Sequence, residues 1–242
     1  MDRNRMFALT ITGLLVAIGI LIPLYSPLRI VIPPAATYTL GSHAAIFVAM
    51  FISPKIAIAV TIGTAIGFFM AFPLVVGLRA ASHLIFAILG SIYIARADKS
   101  TLHGTKLRIF SVTMALIHAA AEAVTVLLFF FGTSFPAGQS VWWVLGFIGA
   151  GTIVHSLVDF ELANIVRQAL QKSKLLKTDI PIETKKTGKF VFPIIALVLF
   201  AIMFLAVIFT NRSNGDEYED YSKNPAPSSA TFICSKWTLS RQ

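Results

Sequence analysis

The sequence is short of charged residues and has a single cysteine, and each shortage excludes a class of protein. Charged residues make up only 13% of the 242 positions, whereas a soluble domain carries about 25%. Cys234 stands alone, so the chain forms no intramolecular disulfide and no cysteine cluster for a metal. The composition therefore argues against a soluble globular domain and against a disulfide scaffold.

Motifs for nucleotide binding and hydrolysis are also missing from the sequence. No G-x-x-x-x-G-K-[ST] phosphate-binding loop occurs, because Gly188-Lys189 is followed by Phe190 and lacks the upstream glycine. Neither H-E-x-x-H nor G-x-S-x-G is present, so we predict no catalytic residues and no enzymatic activity. Any use of ATP requires a partner that supplies the ATPase.

Apolar residues, by contrast, are abundant, at 56% of the chain with a mean hydropathy of +0.79. A membrane-spanning helix needs about 20 apolar residues, and the chain offers several runs of that order. They predict an all-α integral membrane protein with a six-helix core, whose helices cover 6–24, 43–53, 55–72, 74–95, 107–131 and 141–169. A seventh run, 190–209, predicts an additional C-terminal transmembrane helix.

The segments between and after these runs complete the predicted organisation. Residues 1–170 form the membrane core, residues 171–189 a basic cytoplasmic linker, and residues 190–209 the extra helix. The tail, 210–242, combines acidic residues with proline and serine, and we expect it to be external and disordered. An external loop over 25–41, with three prolines and small polar residues, is placed to cover a site that faces outward.

The basic residues are distributed unevenly between the two sides of the membrane. With a cytoplasmic N-terminus, 14 of the 20 Lys and Arg residues lie on cytoplasmic segments, in agreement with the positive-inside rule. This asymmetry explains the net charge of +9 without a nucleic-acid partner. The first run follows Arg3 and Arg5 but lacks a small-residue cleavage site, so we interpret it as a retained helix rather than a signal peptide.

Three helices carry pairs of ionisable residues inside otherwise apolar runs. The members of each pair are four positions apart, and the pairs are Arg79/His83, His118/Glu122 and His155/Asp159. A spacing of four places both members on one helix face. Because charge is costly in a bilayer, such residues face a protein interior or a water-filled cavity and mark a solute site. Together the three pairs predict a polar chamber inside the bundle.

Arg79 and His83 are the leading candidates for ligand binding, because arginine offers five donors in a planar fork suited to a carboxylate. The alternatives are that Arg79 reaches the outer interface and that His83 bonds a backbone carbonyl. Glu122 lies near mid-membrane, where it binds a polar group of the solute or pairs internally with Arg79 or a histidine. His155 and Asp159 are predicted to lie deeper, where they form a pair that supports the site or Asp159 caps the inner part of the bundle; structural roles are favoured over binding.

His43 opens the second helix at the outer level, and with His83, His118 and His155 it raises the question of a metal site. The spacing of these histidines matches no dedicated metal motif, and no cysteine assists them. We therefore predict no metal site and no cofactor.

Small residues recur every four positions in the first and third helices. The first helix carries Gly13 and Ala17, and the third carries Ala59, Gly63 and Gly67. Such faces let helices approach closely in lipid, where the hydrophobic effect does not drive association. The pattern fits two interpretations that the sequence leaves open, namely packing within the bundle and docking of a membrane partner.

Two stretches give the sequence a specific resemblance. They are TLGSHAAIFVAMFISP at 39–54 and GTAIGFFMAFPLVVGLRAASHLIFAILG at 63–90. Over residues 6–170 the chain resembles the substrate-binding S components of the energy-coupling factor (ECF) family of prokaryotic vitamin transporters, and these stretches are similar to its niacin branch. The seventh run and the tail depart from the six-helix pattern of that family.

The resemblance implies a protein of the prokaryotic cell membrane that binds one vitamin from outside with high affinity. It then docks on a transmembrane coupling subunit joined to two ATPase subunits, and it reorients to release the vitamin inside. The docking positions of the family match Gly13 and Ala17, and the ridge of Ala59, Gly63 and Gly67 extends them. The implied ligand site lies beneath the first external loop and comprises Tyr38, Ser42, His43, Arg79, His83, His118 and Glu122.

The chemistry of these residues agrees with a small aromatic acid such as nicotinate. Arg79 would hold the carboxylate, and a histidine or tyrosine would stack on the ring or bond its nitrogen. Pantothenate, folate and biotin also carry carboxylates, so the residues alone do not name the vitamin.

Two other functions stay open at this point. In an autonomous carrier, Glu122, His118, Asp159 and His155 would form a proton relay; in a structural membrane protein the buried charges would merely pair. The carrier would stop in the presence of a protonophore and would work without an ATPase partner. The structural protein would bind no small molecule saturably.

Overall fold

The computed structural model describes residues 3–26, 29–32, 36–132, 141–176, 178 and 180–182, together with six positions between 194 and 205. Five helices are continuous, namely α1 (Arg3–Tyr25), α2 (Ala44–Ile52), α3 (Pro54–Ala71), α4 (Leu74–Arg96) and α5 (Thr105–Gly132). Helix α6 has three consecutive parts, which are an α-helical turn (Val141–Trp143), a π-helical segment (Val144–Ala150) and a long α-helix (Gly151–Lys172). Two short strands are β1 (Arg29–Ile32) and β2 (Ala36–Thr39).

The predicted all-α membrane fold is confirmed. All six helices predicted for the core are present, with their ends shifted by three residues at most. Among the described residues, five helices are long and apolar enough to cross a membrane, and these are Arg5–Tyr25, Pro54–Ala71, Leu74–Arg96, Thr105–Gly132 and Val144–Lys172. Helix α2 has only nine residues, so it reaches roughly 13 Å and does not span.

The first external loop contains a β-hairpin that the sequence analysis did not predict. Strands β1 and β2 pair antiparallel, with Ile30 opposite Tyr38 and Val31 opposite Thr37. The signal was present, because β-branched and aromatic residues lie on both sides of the two consecutive prolines in this loop. The hairpin leads directly into α2 and so delivers Tyr38 to the interior of the bundle.

Helix α2 lies at the centre of the bundle. It contacts α1, α3, α4 and the long part of α6, and the seven consecutive residues from Ala45 to Phe51 are buried. A helix that is apolar on all sides is typical of such a position. Because α2 is short, the space beyond its N-terminus is left for the hairpin and for polar side chains from the surrounding helices.

Ser53 ends α2 and begins α3. Its side chain accepts a hydrogen bond from the backbone N–H of Ile56 at 3.2 Å, and Pro54 occupies the first helical turn, where its missing N–H is not needed. The backbone of Ser53 is extended, so one residue reverses the chain. This tight connection fixes α2 against α3.

Helices α1 and α3 pack closely through glycine. A Cβ atom on Gly63 would lie 2.7 Å from Cγ1 of Val16, and one on Gly67 would lie 2.7 Å from Cγ1 of Ile20. Both distances are shorter than any ordinary carbon contact, so only glycine permits this approach. Gly13, one turn before Val16, has no heavy atom within 4 Å of the corresponding position.

The chain after α6 turns back onto the bundle. The side-chain amide of Gln171 donates to the carbonyl oxygens of Thr178 at 3.1 Å and Ile180 at 2.9 Å, and Ile180 belongs to the buried apolar core. The first residues of the predicted linker are therefore held in place. In the predicted seventh helix the described positions 194, 195, 198, 201, 202 and 205 are helical, whereas the rest of 190–209 and the tail 210–242 lie outside the described residues.

We expect Gly67→Leu to destabilise the protein by about 1–3 kcal/mol, because the added side chain overpacks the contact with Ile20. Gly13→Leu, which enters open space, is the matched control and should not lower the unfolding temperature. Thermal unfolding of both variants in detergent measures the difference. Equal unfolding temperatures for Gly67→Leu and the unchanged protein would contradict the packing described here.

Candidate functional site

The loop before α2 and three surrounding helices place their polar residues in one buried polar chamber. We define the chamber by nine residues, which are Tyr38, Ser42, His43, Arg79, His83, His118, Glu122, His155 and Asp159. Each of them is at most 5% exposed. The structure thus brings together all seven residues that the sequence analysis assigned to a ligand site.

Glu122 on α5 gathers partners from three helices. Nη2 of Arg79 on α4 donates to Oε2 at 2.6 Å, and the Thr152 hydroxyl on α6 donates to the same oxygen. On Oε1, Nε2 of His83 lies at 2.9 Å and Nε2 of His118 at 3.5 Å. A buried carboxylate is tolerated when its charge is paired and its lone pairs are filled, and both conditions hold here.

Asp159 on α6 caps the N-terminus of α2 from outside that helix. Its Oδ1 accepts from the backbone N–H of Gly41 at 2.6 Å, and its Oδ2 accepts from the backbone N–H of His43 at 2.8 Å. Nδ1 of His43 and Nε2 of His155 lie 3.1 and 3.4 Å from Oδ2. The side chain of His43, at the N-cap position, makes no capping hydrogen bond. The Asp159 carboxylate therefore takes the place of a local N-cap and lies at the positive end of the α2 dipole.

The turn between β2 and α2 depends on Gly41. Its φ of +84° lies in the left-handed region, which glycine adopts without steric cost. In this turn the N–H of Ser42 donates to the carbonyl of Thr39 at 3.0 Å, and the N–H of Ala44 donates to that of Gly41 at 3.1 Å. The turn directs the backbone N–H groups of Gly41 and His43 at Asp159, which anchors the hairpin to α6.

Four histidine rings come into contact at the centre of the chamber. The ring centroid of His43 lies 4.4 Å from that of His83, 4.7 Å from that of His118 and 4.8 Å from that of His155. The rings of His83 and His118 are 4.7 Å apart. The ring centroid of Phe86 lies 4.4 Å from that of His118, so an aromatic side chain packs against the imidazoles.

Tyr38 fastens the hairpin to the π-helical part of α6. Its hydroxyl donates to the carbonyl oxygen of Phe147, and a Cβ atom on Gly151 would lie 2.7 Å from that hydroxyl. The guanidinium carbon of Arg79 lies 5.5 Å from the ring centroid of Tyr38, within the range of a cation–π contact. Tyr38 therefore links the hairpin to α6 and to the charged side chain of Arg79.

The chamber encloses a small cavity. Its lining residues are Thr37, Thr39, Ser42, His43, Phe68, Val76, Arg79, Ala80, His83, Glu122 and His155. The enclosed space holds about one water molecule. A larger molecule enters only if side chains or the hairpin move.

Comparison with curated protein sequences finds a relative in Lactococcus lactis subsp. cremoris (strain MG1363), the niacin transporter NiaX. The two sequences are 32% identical over 167 residues, which are 68% of this chain and 75% of the relative. The chain belongs to the NiaX family. The resemblance to ECF S components of the niacin branch is thereby confirmed. The sequence matches no protein-family model and no solved structure.

Membership of the NiaX family makes the chain a multi-pass membrane transport protein. The five helices of spanning length in the described part of the chain agree with this class. A transport protein handles a small molecule and works in a lipid bilayer. The chamber is the place in the described residues where buried charge, aromatic rings and a cavity coincide.

In this NiaX-family chain the structure corrects the predicted depth of one pair. His155 and Asp159 were expected to lie deeper than His43, but all three are in contact. One reason is that α2 begins inside the bundle. The other is that the first ten residues of α6 form the α-helical turn and the π-helical segment, which precede the part that carries His155 and Asp159. Arg79 does not reach an interface, because it is 3% exposed and paired with Glu122.

The small-residue ridge is divided between two surfaces in the structure. Gly63 and Gly67 contact α1 within the chain, which is the internal-packing interpretation of the two that the sequence left open. Gly13, Ala17 and Ala59 are exposed.

Two residues of the site were missed by the sequence analysis. Thr152 binds Glu122, and Gly151 leaves room for Tyr38. Thr152 precedes His155 by three positions and Asp159 by seven, so the helical spacing that marked the pair also marked Thr152. Gly151 carries no comparable signal, because its role depends on contact with a distant segment.

Two groups of side chains in the chamber have the composition of a metal site, although the sequence analysis predicted none. One comprises His43, His83, His118 and Glu122, and the other His43, His155 and Asp159. In each group, one ligand atom from every residue lies within 4.8 Å of the others. Sequence spacing did not reveal the first group, because its members come from three separate segments.

We expect Asp159→Asn to destabilise the protein by about 1–3 kcal/mol. The amide keeps one acceptor oxygen, so one of the two backbone donors at Gly41 and His43 is left unsatisfied in a buried position. Asp98→Asn is the matched control, because Asp98 is exposed and caps a short 3-10 turn at Ser100. Thermal unfolding in detergent compares the variants, and an Asp159→Asn protein as stable as the control would refute the capping role.

Proposed function

We propose that the protein is the substrate-binding subunit of an ECF-type uptake transporter and that its vitamin is niacin in the form of nicotinate. It captures the vitamin outside the cell and delivers it inward by docking on a transmembrane coupling subunit joined to two ATPase subunits. The named relative supports niacin as the vitamin, and the architecture supports a binding subunit. We further place the protein in the cell membrane with a cytoplasmic N-terminus and assign it no catalytic activity.

The observation that carries the proposal is a buried arginine that lines a small cavity. Arg79 lines the cavity beside Glu122 and His83, and its pairing with Glu122 uses Nη2. A guanidinium has five donors in a planar fork that matches a carboxylate. A ligand carboxylate can therefore bind the Arg79 guanidinium together with Glu122. On binding it replaces its hydrogen bonds to water with charge-assisted hydrogen bonds to the arginine.

The rest of the lining suits a flat heteroaromatic ring. Phe68 and Val76 supply apolar surface, and the rings of His43 and His83 supply aromatic faces at the same cavity. Ligand pockets of this kind combine apolar walls with a few oriented polar groups. Nicotinate, which is one pyridine ring with one carboxylate, is small enough to need only local movement of these side chains.

The hairpin serves as the cover in this proposal. Thr37 and Thr39 on β2 line the cavity, while Tyr38 between them bonds the backbone of α6. Release of that bond frees the strand without disturbing the Asp159 cap on the turn that follows. A vitamin from outside would enter by this route.

A proton-coupled carrier is the second candidate, because the chamber forms a continuous chain of titratable contacts. The chain runs from Glu122 through His118 and His43 to Asp159. Uptake by cells that express this chain without ECF partners, abolished by a protonophore, would support the carrier. Uptake that requires the ATPase partners and survives the protonophore would support the S component.

We expect nicotinate to bind the purified, detergent-solubilised protein saturably and at least tenfold more tightly than nicotinamide, which lacks the carboxylate. Titration calorimetry with nicotinate, nicotinamide, pantothenate, biotin and thiamine measures this. Tight binding of a different vitamin would keep the transporter class and refute niacin. No binding to folded protein would refute the S-component proposal.

The role of Arg79 is tested in a background that removes both charges. Arg79→Gln alone leaves the Glu122 carboxylate buried without its cation, which costs about 3–5 kcal/mol, whereas Arg79→Gln/Glu122→Gln should stay folded. We expect the double variant to bind nicotinate about 10- to 100-fold more weakly, the loss of a charged hydrogen bond. Arg96→Gln, at an exposed position on α4, is the control, and unchanged affinity in a folded double variant would disprove the role.

Docking is tested at Ala17 because that residue is exposed on α1. We expect Ala17→Leu to leave nicotinate affinity unchanged and to reduce ATP-dependent uptake at least tenfold, since a small-residue face no longer admits a partner helix. Ala120→Leu is the matched control on the exposed face of α5. Normal uptake by Ala17→Leu at equal expression would rule out this docking surface.

A further inference from the structure

The chamber contains imidazole nitrogens for which the described residues supply no hydrogen-bond partner. These atoms are Nε2 of His43, Nδ1 of His83 and both ring nitrogens of His118, and all are fully buried. Buried polar atoms in native proteins are satisfied by protein, water or a bound species. For His43 and His118 the unpartnered atoms include Nε2, so each of these two histidines has a nitrogen available to a species that accepts a lone pair.

Nicotinate cannot satisfy those of these nitrogens that present a lone pair. Its carboxylate and its pyridine nitrogen are hydrogen-bond acceptors. A neutral imidazole that donates its N–H to a carboxylate presents only a lone pair on its other nitrogen. Nδ1 of His43 lies 3.1 Å from Asp159, so its Nε2 is such a lone pair. A cation binds lone pairs of this kind, as does the O–H of a water molecule, and the arrangement of the ligands decides between the two.

The geometry of the histidines and Glu122 is close to that of a four-ligand metal site. Nε2 of His83 and Nε2 of His118 lie 2.9 and 3.5 Å from Oε1 of Glu122. Ligand atoms around tetrahedral zinc, each at 2.0–2.1 Å from the ion, are about 3.4 Å apart. His43 completes the set with one ligand atom within 4.8 Å of the others, so these atoms would need to approach one another by at most about 1.4 Å to form the tetrahedron.

The second atoms of two of these ligands are already held, whereas Nδ1 of His83 and Nδ1 of His118 have no partner among the described residues. Asp159 holds Nδ1 of His43, and Arg79 and Thr152 hold Oε2 of Glu122. Metal ligands in proteins have such partners, which orient the ligand and set its tautomer. Arg79 binds the oxygen that faces away from the proposed set, so its charge and a cation would lie on opposite sides of one carboxylate.

The charge balance of the chamber also favours a cation. Arg79 contributes +1, and Glu122 and Asp159 contribute −2, which gives −1 when the imidazoles are neutral, their metal-binding form. A divalent cation changes this balance to +1. An anionic vitamin would then enter a chamber of opposite charge, and this step rests on the function proposed above.

We propose that His43, His83, His118 and Glu122 bind a divalent transition-metal cation, Zn²⁺ or an ion of similar preference such as Co²⁺ or Ni²⁺. Three imidazoles and one carboxylate are the ligands that these ions favour over Mg²⁺ and Ca²⁺. The cation would sit beside the ligand cavity and supply positive charge to the vitamin carboxylate.

Direct titration tests the site without any transport assay. The protein is purified without a polyhistidine tag, treated with EDTA, and titrated with Co²⁺ and Zn²⁺ by visible absorption and calorimetry. We expect one equivalent of Co²⁺ to give the visible bands of a tetrahedral complex and to be displaced by Zn²⁺. A folded protein that shows no stoichiometric binding of either ion would overturn the proposal.

Two variants locate the metal. His118→Gln keeps the side chain polar and of similar size, and we expect it to weaken binding at least about 100-fold. His103→Gln, at an exposed position outside the bundle interior, should bind as the unchanged protein does. Full binding by folded His118→Gln would assign the metal to another place and overturn the proposal. If His118→Gln does not fold, the same test on His43→Gln decides.

Nicotinate titrations of the metal-free and metal-loaded protein separate this inference from the proposed function. At least tenfold tighter binding to the loaded form would support the link between cation and vitamin. Tight and equal binding to both forms would preserve the proposed function and overturn that link. Metal binding by a protein that ignores nicotinate in both forms would preserve the metal site and reject niacin.

Discussion

Two carboxylates buried among the spanning helices, Glu122 and Asp159, determine how the rest of the structure is arranged. Each charge is stable there only because partners from other segments surround it, and loss of one partner of such a pair costs about 3–5 kcal/mol. Glu122 fixes α4 and α6 relative to α5 through Arg79 and Thr152. Asp159 fixes the turn before α2 to α6. The polar contacts thus set the register of helices whose apolar surfaces alone would slide.

The half-length of α2 follows from the same constraint. Free backbone N–H groups are costly at membrane depth, so a helix can begin there only if something caps it. Asp159 does so from α6, and the left-handed Gly41 turns the chain towards it. Because α2 stops short, the hairpin descends over its N-terminus with Tyr38 fastened to α6. The chamber is the volume that this arrangement leaves open, and its chemistry comes from the groups that make it stable.

The sequence predicted the positions of the helices and the residues that form the chamber. It predicted far less about which of those residues contact one another. Apolar runs give span positions because the bilayer thickness sets their length. A spacing of four gives a shared face for Arg79 and His83. It cannot say that His43 meets Asp159, since those residues are 116 positions apart and their contact depends on where α2 begins. Gly67 shows the same limit. A pattern of small residues every four positions is the same in the sequence whether the face packs on α1 or on another protein.

A ligand site built from mutually paired groups has a consequence for the proposed function. Nicotinate can bind Arg79 only by sharing a guanidinium that Glu122 already holds, so its affinity is the difference between new and existing contacts. Any shift of Glu122 moves His83 and His118, and through His43 it reaches the N-terminus of α2. Helix α2 contacts both α1 and α3, which carry the exposed residues Ala17 and Ala59. A change in the chamber therefore has a short, packed route to the surface on which the proposed coupling partner would dock.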